Sequence, residues 1–282
     1  MRIFNLLLII SASTARKLEY TTTLQLIRLP ILIYDYNKKF NFTQVENIEN
    51  IENGTKLLNE LSKYAPNGEI KLFIDDQKSG LQAGITKSDK KKRICVVFRG
   101  SEQRKDWYHN LLAWKYKLPN YDASVHKGFY KQLNDNNNYN KISKQLKKEI
   151  LENPSYKIYV LGHSLGASLA TLFGFLFSNT TDNFINVLSF ASPRLGNNKF
   201  KYIFEKQPNL LHYRFTNKND IVPNLPIINY HHTGIHININ KNKLKLGKIN
   251  TILNSFSIKD HDIYDYYENL KKSKGWDALN LN

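Results

Sequence analysis

Cysteine is almost absent from this chain of 282 residues. Cys95 is the single one, so no intramolecular disulfide can form, and export to an oxidising compartment is neither required nor excluded. Cys95 falls within an apolar run that predicts a β-strand, and we expect its thiol to lie in the core.

Acidic residues are scarce as well. The chain has 24 aspartates and glutamates against 41 lysines and arginines, which gives a formal charge of +17. Such an excess favours contact with anionic surfaces such as phospholipid head groups or nucleic acid. The lysines are scattered along the chain and no nucleic-acid-binding motif accompanies them. We therefore expect a diffuse positive field and no nucleic-acid partner.

No apolar run is long enough to cross a bilayer. The first run, from Ile3 to Ile10, follows an arginine and precedes small residues at Ser13 and Ala15, a pattern typical of a minimal secretory signal. A cleaved signal over residues 1–15 predicts a secreted protein. The alternatives are an N-terminal helix packed on the domain or a reversible membrane contact, in a protein that is intracellular or associated with a membrane or virion.

Repeats and clear domain boundaries are also missing, apart from an asparagine-rich run, and the length suits one large domain. From residue 70 onward, short β-prone runs alternate with helical periodicity, which predicts an α/β fold with a mainly parallel central sheet flanked by helices. We predict a helical segment over residues 16–68 that packs on the sheet, with one helix ending near Pro30. The main domain then covers residues 69–270, and residues 271–282 form a tail.

The strongest motif is Gly162-His163-Ser164-Leu165-Gly166. A β-prone run precedes it and apolar residues at helical spacing follow, which is the setting of a G-x-S-x-G nucleophile elbow. The glycines let strand and helix approach closely, and the sharp turn raises the Ser164 hydroxyl above the sheet. The backbone N–H of Leu165 points to the place where an oxyanion forms. Ser164 is therefore a candidate nucleophile and Leu165 a candidate oxyanion donor.

A nucleophilic serine needs a base and a carboxylate, which α/β-hydrolases supply in the order Ser, Asp, His. Asp220 follows a predicted strand and fits the acid better than Asp182, which comes too soon after the nucleophile helix. Four histidines follow Asp220, and His261 opens a loop that leads into the last helix: His231, His232, His236 and His261. His232 and His236 share a strand face, but no cysteine or carboxylate cluster accompanies them, so we predict no metal site.

Upstream of the elbow, a predicted strand leads into Ser101, which offers a backbone N–H and a hydroxyl as a second oxyanion donor. An ordinary polar turn residue is the alternative. A short amphipathic segment follows at once, and its aromatic face suits either a core helix or a mobile lid over the active site. The candidate lid residues are Trp107, Tyr108, Leu111 and Trp114.

Seven short motifs in this order resemble the class 3, fungal-type triacylglycerol lipase family over residues 70–269. They are Phe98-Arg99-Gly100-Ser101, Trp107-Tyr108-His109-Asn110-Leu111, Val125-His126-Lys127-Gly128-Phe129, Gly162-His163-Ser164-Leu165-Gly166, Ser192-Pro193-Arg194-Leu195-Gly196-Asn197, Asn219-Asp220-Ile221-Val222-Pro223 and His261-Asp262-Ile263-Tyr264. Each motif is weak alone, but seven in the right order make a strong signal.

The resemblance implies a single α/β-hydrolase domain with a short lid around Trp107. It also implies ester hydrolysis by a triad of Ser164, Asp220 and His261, with Ser101 and Leu165 as the oxyanion hole. Two features depart from the family: His236 stands where an H-x-G-x-E pattern often has its acidic residue, and the disulfides of secreted fungal members are absent.

We therefore predict a serine ester hydrolase that acts on lipids and needs no metal or cofactor. Its lid face docks transiently on a membrane or lipid-droplet surface, and no protein partner is expected. A phospholipase, a galactolipase or a soluble-ester esterase on the same fold is an alternative, because the acyl pocket carries no sequence motif. A non-catalytic lipid-binding or structural particle protein is the alternative from another class.

Overall fold

The computed structural model describes residues 18–39, 68–100, 114–240, 243–246 and 259–273. The strands are β1 (Glu69–Asp76), β2 (Leu81–Ser88), β3 (Arg93–Phe98), β4 (Lys115–Lys117), β5 (Ser124–His126), β6 (Lys157–His163), β7 (Ile185–Phe190), β8 (Leu210–Asn217), β9 (Ile235–Asn240) and β10 (Lys243–Leu246). The α-helices are α1 (Tyr20–Leu26), α2 (Arg28–Lys39), α3 (Lys127–Asn134), α4 (Asn138–Glu152), α5 (Leu165–Ser178), α6 (Asn198–Glu205) and α7 (Ile263–Lys272).

Eight of these strands form one sheet in the order β1-β2-β3-β6-β7-β8-β9-β10, and β4 pairs with β5 separately. The inner strands β3, β6, β7, β8 and β9 run parallel. Antiparallel pairing adds β1 and β2 at one edge and β10 at the other. β3 and β7 are buried along their whole length because helices cover both faces of the sheet. The prediction of a mainly parallel central sheet flanked by helices is confirmed.

Two apolar layers hold the helices on the sheet. On the first face, α4, α5 and α6 contribute buried residues such as Leu146, Phe173 and Phe200. On the second face, α1, α2 and α7 contribute buried residues such as Ile33 and Leu270. The nucleophile helix α5 and the helix that follows the candidate base, α7, therefore pack on opposite faces.

The N-terminal helices differ from the prediction in one respect. α1 ends at Leu26, and α2 begins at Arg28 and continues through Pro30. The prediction that a helix ends near Pro30 is wrong, because a proline in the first turn of a helix removes no intrahelical hydrogen bond.

The asparagine-rich run of residues 134–140 connects α3 to α4 and ties them to the first hairpin. Asn136 and Asn137 have positive φ angles of 51° and 62° in this connection. The side-chain amides of Asn136 and Asn138 donate hydrogen bonds of 2.8 Å to Oδ2 of Asp76, at the end of β1. The run therefore belongs to the domain and does not separate two domains.

Cys95 lies in β3 and is buried against the second face. Burial raises the pKa of its thiol to about 11.

The predicted signal segment of residues 1–15, residues 16–17 and 40–67 of the predicted N-terminal segment, and residues 274–282 of the predicted tail lie outside the described residues. Within the part of the chain that the structure describes, no helix is both long enough and apolar enough to cross a membrane.

Candidate active site

Ser164 occupies the single turn residue between β6 and α5. Its φ and ψ angles are 58° and −129°, a strained conformation for a residue with a side chain. The neighbouring glycines make this turn sterically possible. A Cβ atom on Gly162 would lie 2.3 Å from the carbonyl oxygen of Gly166, and one on Gly166 would lie 2.4 Å from that of Phe98. The elbow therefore brings β3, β6 and α5 into direct backbone contact.

A continuous series of hydrogen bonds starts at the Ser164 hydroxyl. Its Oγ lies 2.8 Å from Nε2 of His261. Nδ1 of His261 lies 2.9 Å and 3.1 Å from the two carboxylate oxygens of Asp220. All three side chains are buried. Because an ionised carboxylate only accepts, the Nδ1–H donates to Asp220, and Nε2 is left as the acceptor for the serine proton.

The Asp220 carboxylate is held by two further donors. The backbone N–H of Val222 donates to Oδ1 at 2.9 Å, and the Tyr266 hydroxyl on α7 donates to Oδ2 at 2.7 Å. Burial and the neighbouring charge of Asp220 raise the pKa of Tyr266 well above its usual value, so the phenol remains a donor. Asp220 is therefore fixed in position beside the imidazole.

His163 orients the backbone of His261. Its Nε2 lies 2.9 Å from the carbonyl oxygen of His261, and its Nδ1 lies 3.1 Å from the hydroxyl of Tyr34 on α2. Donation from Nε2–H to the carbonyl leaves Nδ1 to accept from the phenol. A Cβ atom on Gly100 would lie 2.0 Å from the Tyr34 hydroxyl and 3.1 Å from Cβ of Ser164. An N-terminal helix thus brings a hydroxyl close to the elbow.

Sequence reasoning missed three of these contributors: Tyr34, His163 and Tyr266. His163 lies within the elbow motif, and its type was a usable signal. Tyr34 and Tyr266 reach the site only through the packing of α2 and α7 on the sheet, and no local pattern marks them.

The candidate oxyanion donors differ in what the structure describes. Leu165 is the first residue of α5, a helix of 14 residues, and its amide lies at the positive end of the helix dipole. The candidates Ser101, Trp107, Tyr108 and Leu111 lie outside the described residues. Of the candidate lid, Trp114 alone is described; it precedes β4 and is 83% exposed.

Three of the rejected candidates have other surroundings or partners. Asp182 is exposed in the turn between α5 and β7, at the amino ends of the strands. Nε2 of His232 lies 2.6 Å from the Pro223 carbonyl oxygen, and Nε2 of His236 lies 2.8 Å from the Thr216 hydroxyl. In the described ranges, no group of three or more histidine, cysteine or carboxylate side chains could hold a metal ion.

A second set of polar residues lies on β8 and β9: His212 and Arg214 are buried and His236 is half-buried, and we call the three the β8–β9 cluster. Arg214 is buried and pairs with His236 across the two strands. Burial lowers the pKa of Arg214 to about 10, and its Nε and Nη1 find no hydrogen-bond partner in the described part of the chain. Burial, followed by the charge of Arg214, lowers the pKa of His212 to about 3.

Comparison with known proteins identifies relatives of this arrangement. Residues 95–230 match the family model described as Lipase (class 3). The lipase of Rhizopus niveus is 30% identical over 178 residues, which are 59% of this chain and 43% of that protein. The secreted mono- and diacylglycerol lipase A of Penicillium camembertii is 41% identical over 88 residues, which are 31% of this chain and 28% of that protein. The chain thus matches less than half the length of these curated relatives.

Solved structures extend the likeness to the fold. Lipase II from Rhizopus niveus superposes with a TM-score of 0.63 at 27% identity, over 71% of this chain and 81% of that chain. A triacylglycerol lipase whose catalytic centre is formed by a serine protease triad superposes with a TM-score of 0.63 at 26% identity, over 68% of this chain and 78% of that chain. Over residues 95–230 this chain is similar to the class 3 lipases, and its fold is that of an α/β-hydrolase.

Proposed function

We propose that this protein is a serine carboxylic-ester hydrolase that acts on lipids in the manner of a triacylglycerol lipase. The observation that carries the proposal is the unbroken hydrogen-bonded series from the Ser164 hydroxyl through His261 to Asp220, built on a strained elbow. A serine held in this way has a base within proton-transfer distance and a carboxylate behind the base.

In the proposed reaction, Ser164 Oγ attacks the acyl carbonyl carbon while Nε2 of His261 accepts the hydroxyl proton. Asp220 stabilises the imidazolium that forms, and its two further hydrogen bonds keep the carboxylate aligned. His261 then returns the proton to the leaving alkoxide, which releases the alcohol and leaves an acyl-enzyme. A water molecule, deprotonated by His261, attacks the acyl-enzyme and frees the acid.

The tetrahedral oxyanion needs donors that are already in place. We assign one to the backbone N–H of Leu165, where the dipole of α5 adds to the hydrogen bond. The second is the backbone N–H or hydroxyl of Ser101. No metal or cofactor enters this mechanism.

The proposed substrates are lipid esters. The similar fungal proteins are lipases, and phospholipase A1-II 1 of Oryza sativa subsp. japonica is 29% identical over 180 residues, 54% of this chain and 44% of that protein. A phospholipase is therefore the second candidate. We also propose transient lid contact with a membrane or lipid droplet, and secretion, which is supported by the secreted Penicillium relative.

The test is hydrolysis of p-nitrophenyl esters from acetate to palmitate, and of triacylglycerol and phospholipid emulsions, by the wild type and by Ser164→Ala. We expect a preference for long acyl chains, an increase in rate at a lipid interface, and a loss of at least about 10⁴-fold in kcat in the variant. Faster turnover of phospholipid than of triacylglycerol would favour the second candidate.

No turnover by folded wild-type protein would contradict the proposal and favour a non-catalytic lipid-binding protein. A fluorophosphonate probe separates the two cases independently of substrate choice, because it labels an activated serine and leaves Ser164→Ala unlabelled.

A further inference from the structure

Three large apolar side chains stand out of the surface close to the segments that carry the candidate site. Trp114 is 83% exposed, Ile227 is 67% exposed and Ile228 is 78% exposed. The two isoleucines lie between buried Pro226 and buried Tyr230, so the chain turns outward between two anchored residues. Isolated exposed apolar residues are common, but adjacent ones at the tip of a turn require a reason.

Hydrogen bonds to Arg194 and Gly196 fix the isoleucine turn in place. The backbone N–H of Arg194 donates to the Leu225 carbonyl oxygen at 2.7 Å, and its guanidinium donates to that of Ile227 at 3.3 Å. The N–H of His231 donates to the Gly196 carbonyl oxygen at 2.7 Å. Ile227 and Ile228 are therefore presented on a support and are not at the end of a loose loop.

Contacts of two lysines relate the chain at Trp114 to the isoleucine turn. The Lys115 ammonium lies 4.9 Å from the centre of the Tyr230 ring, next to the isoleucine turn. The backbone N–H of Lys127 donates to the Trp114 carbonyl oxygen at 2.9 Å. We call Trp114, Ile227 and Ile228 the docking ridge.

The two chain segments that carry the docking ridge contain no aspartate or glutamate, although Glu205 accepts a hydrogen bond from the backbone of Gly234. These segments run from Ile221 to Asn240 and from Trp114 to Tyr121. Lys115 and Lys127 are exposed. Asp122, the next acid along the chain, forms ion pairs with Lys117 and Lys199. An apolar edge within a cationic border complements an anionic lipid surface, where acyl chains lie beneath negative head groups.

We propose that the docking ridge binds an anionic lipid surface and presents the active site to it. The inference deepens the proposed function and rests on it. The ridge is connected to the triad residues at one end, because Val222, at the base of the isoleucine turn, donates its N–H to Asp220. In this arrangement the protein docks through the isoleucine turn and through Trp114, the one candidate lid residue that the structure describes. It also prefers anionic to zwitterionic lipid.

The test measures binding of Ser164→Ala protein, which does not consume the lipid, to two kinds of vesicle. One kind is phosphatidylcholine, and the other is phosphatidylcholine mixed with phosphatidylglycerol. We expect binding to be at least about ten-fold tighter to the anionic vesicles, and we expect high salt to remove that difference. Adding Ile227→Ser and Ile228→Ser should weaken anionic binding by at least about ten-fold. Lys115→Gln with Lys127→Gln should reduce it by a similar factor.

The matched controls lie on α4. Leu151 is 82% exposed and near the amino ends of the strands, so Leu151→Ser removes an equally exposed apolar side chain elsewhere. Lys144 and Lys147 are exposed on the same helix, so Lys144→Gln with Lys147→Gln gives the same change of net charge. We expect both controls to bind anionic vesicles like the parent, with thermal unfolding measured for every variant.

Equal binding to both vesicles, or equal losses in the ridge and α4 variants, would overturn the proposal. Self-association that the isoleucine substitutions abolish, without vesicle binding, would assign the ridge to a second copy of the chain and also overturn it. A different result would contradict the proposed function: a wild type that binds anionic vesicles but hydrolyses no ester would support the docking ridge and contradict the proposed hydrolase activity. Hydrolysis of soluble esters by a wild type that does not bind anionic vesicles would support the hydrolase activity and contradict the docking ridge.

Discussion

Asp220 and Arg214 are both buried charged residues on or just after β8, and each has a histidine close by, yet their surroundings are opposite. The Asp220 carboxylate accepts hydrogen bonds from His261, the Val222 backbone and Tyr266. Arg214 has His236 beside it on β9, and two of its three guanidinium nitrogens lack a hydrogen-bond partner among the described residues.

The difference shows what a catalytic arrangement requires of its surroundings. In the proposed acyl transfer, a fully bonded anion beside His261 would favour the positive imidazole. In the β8–β9 cluster the reverse holds, because burial and then the positive charge of Arg214 lower the pKa of His212 and keep it neutral. The cationic environment thus lies within β8, and the anionic one follows the carboxyl end of the same strand.

The largest expected effect on activity comes from removing the negative charge of Asp220. Asp220→Asn replaces the carboxylate with an amide that cannot stabilise the imidazolium and offers a donor to Nδ1, so we expect kcat to fall by about 10³- to 10⁴-fold. Asp182→Asn, in an exposed turn at the other end of the sheet, is the matched control and should retain wild-type activity. Steady-state kinetics on a soluble p-nitrophenyl ester measure both. Equal activity of the two variants would remove Asp220 from the mechanism.

The pH dependence of stability tests the cationic environment around His212. Its pKa is about 3 in the folded protein and about 6.5 in the unfolded chain, so the unfolded state binds the proton first as the pH falls. Stability is therefore lost from about pH 6.5 down towards pH 3, and between pH 7 and pH 5 this histidine contributes a loss of about 2 kcal/mol.

Urea unfolding of the wild type and of His212→Gln at both pH values measures this contribution. The variant should be less stable at pH 7, because His212 bonds to the hydroxyls of Ser189 and Thr233, but should lose about 2 kcal/mol less on acidification. Parallel losses in both proteins would mean that His212 is not kept neutral.

Tyr266 tests how far the hydrogen bonds around Asp220 matter. Tyr266→Phe removes a buried donor to an ionised carboxylate, and a bond of this kind contributes about 1.5–3 kcal/mol. We expect kcat to fall by about ten-fold with KM unchanged, because the carboxylate acts on the transition state. Tyr202→Phe, at an exposed position on α6, should have no effect. A change confined to the melting temperature would give Tyr266 a structural role alone.

The smallest expected effect comes from placing a carboxylate next to the Arg214 guanidinium. His236→Glu places a carboxylate beside Arg214, at the position where the family pattern often has an acidic residue. We expect the free energy of unfolding to rise by about 1 kcal/mol, because a buried cation gains a partner while the hydrogen bond to Thr216 is lost. The melting temperature should rise by about 2–4 °C. His231→Glu, at an exposed position nearby, is the control. Destabilisation by His236→Glu would show that Arg214 is already compensated.

The sequence marks the candidate triad residues because steric and topological rules act on them locally. Gly162 and Gly166 leave one backbone solution for a strand that turns directly into a helix, and this marks Ser164. Asp220 follows from the rule that polar residues at the carboxyl ends of parallel strands meet at one edge of the sheet. The central parallel sheet was predictable for a similar reason, since strands buried on both faces are apolar throughout.

Residues that reach the site through packing were not predictable. Tyr34 and Tyr266 contact His163 and Asp220 only because α2 and α7 cover the same face of the sheet. The error at Pro30 has a related cause. A proline is compatible with a helix when it lies in the first turn and ends the helix when it lies further along. The apolar pattern of that segment does not show where the helix begins.

The burial of Cys95 makes the protein a convenient substrate for site-directed labelling. Its thiol is the single one in the chain, and it is both inaccessible and almost fully protonated at neutral pH. A maleimide dye should therefore leave the folded wild type unmodified. A cysteine introduced in place of Ile228 would carry one fluorophore at one known position, so that the depth of that position in a bilayer could be read directly by quenching from the lipid phase.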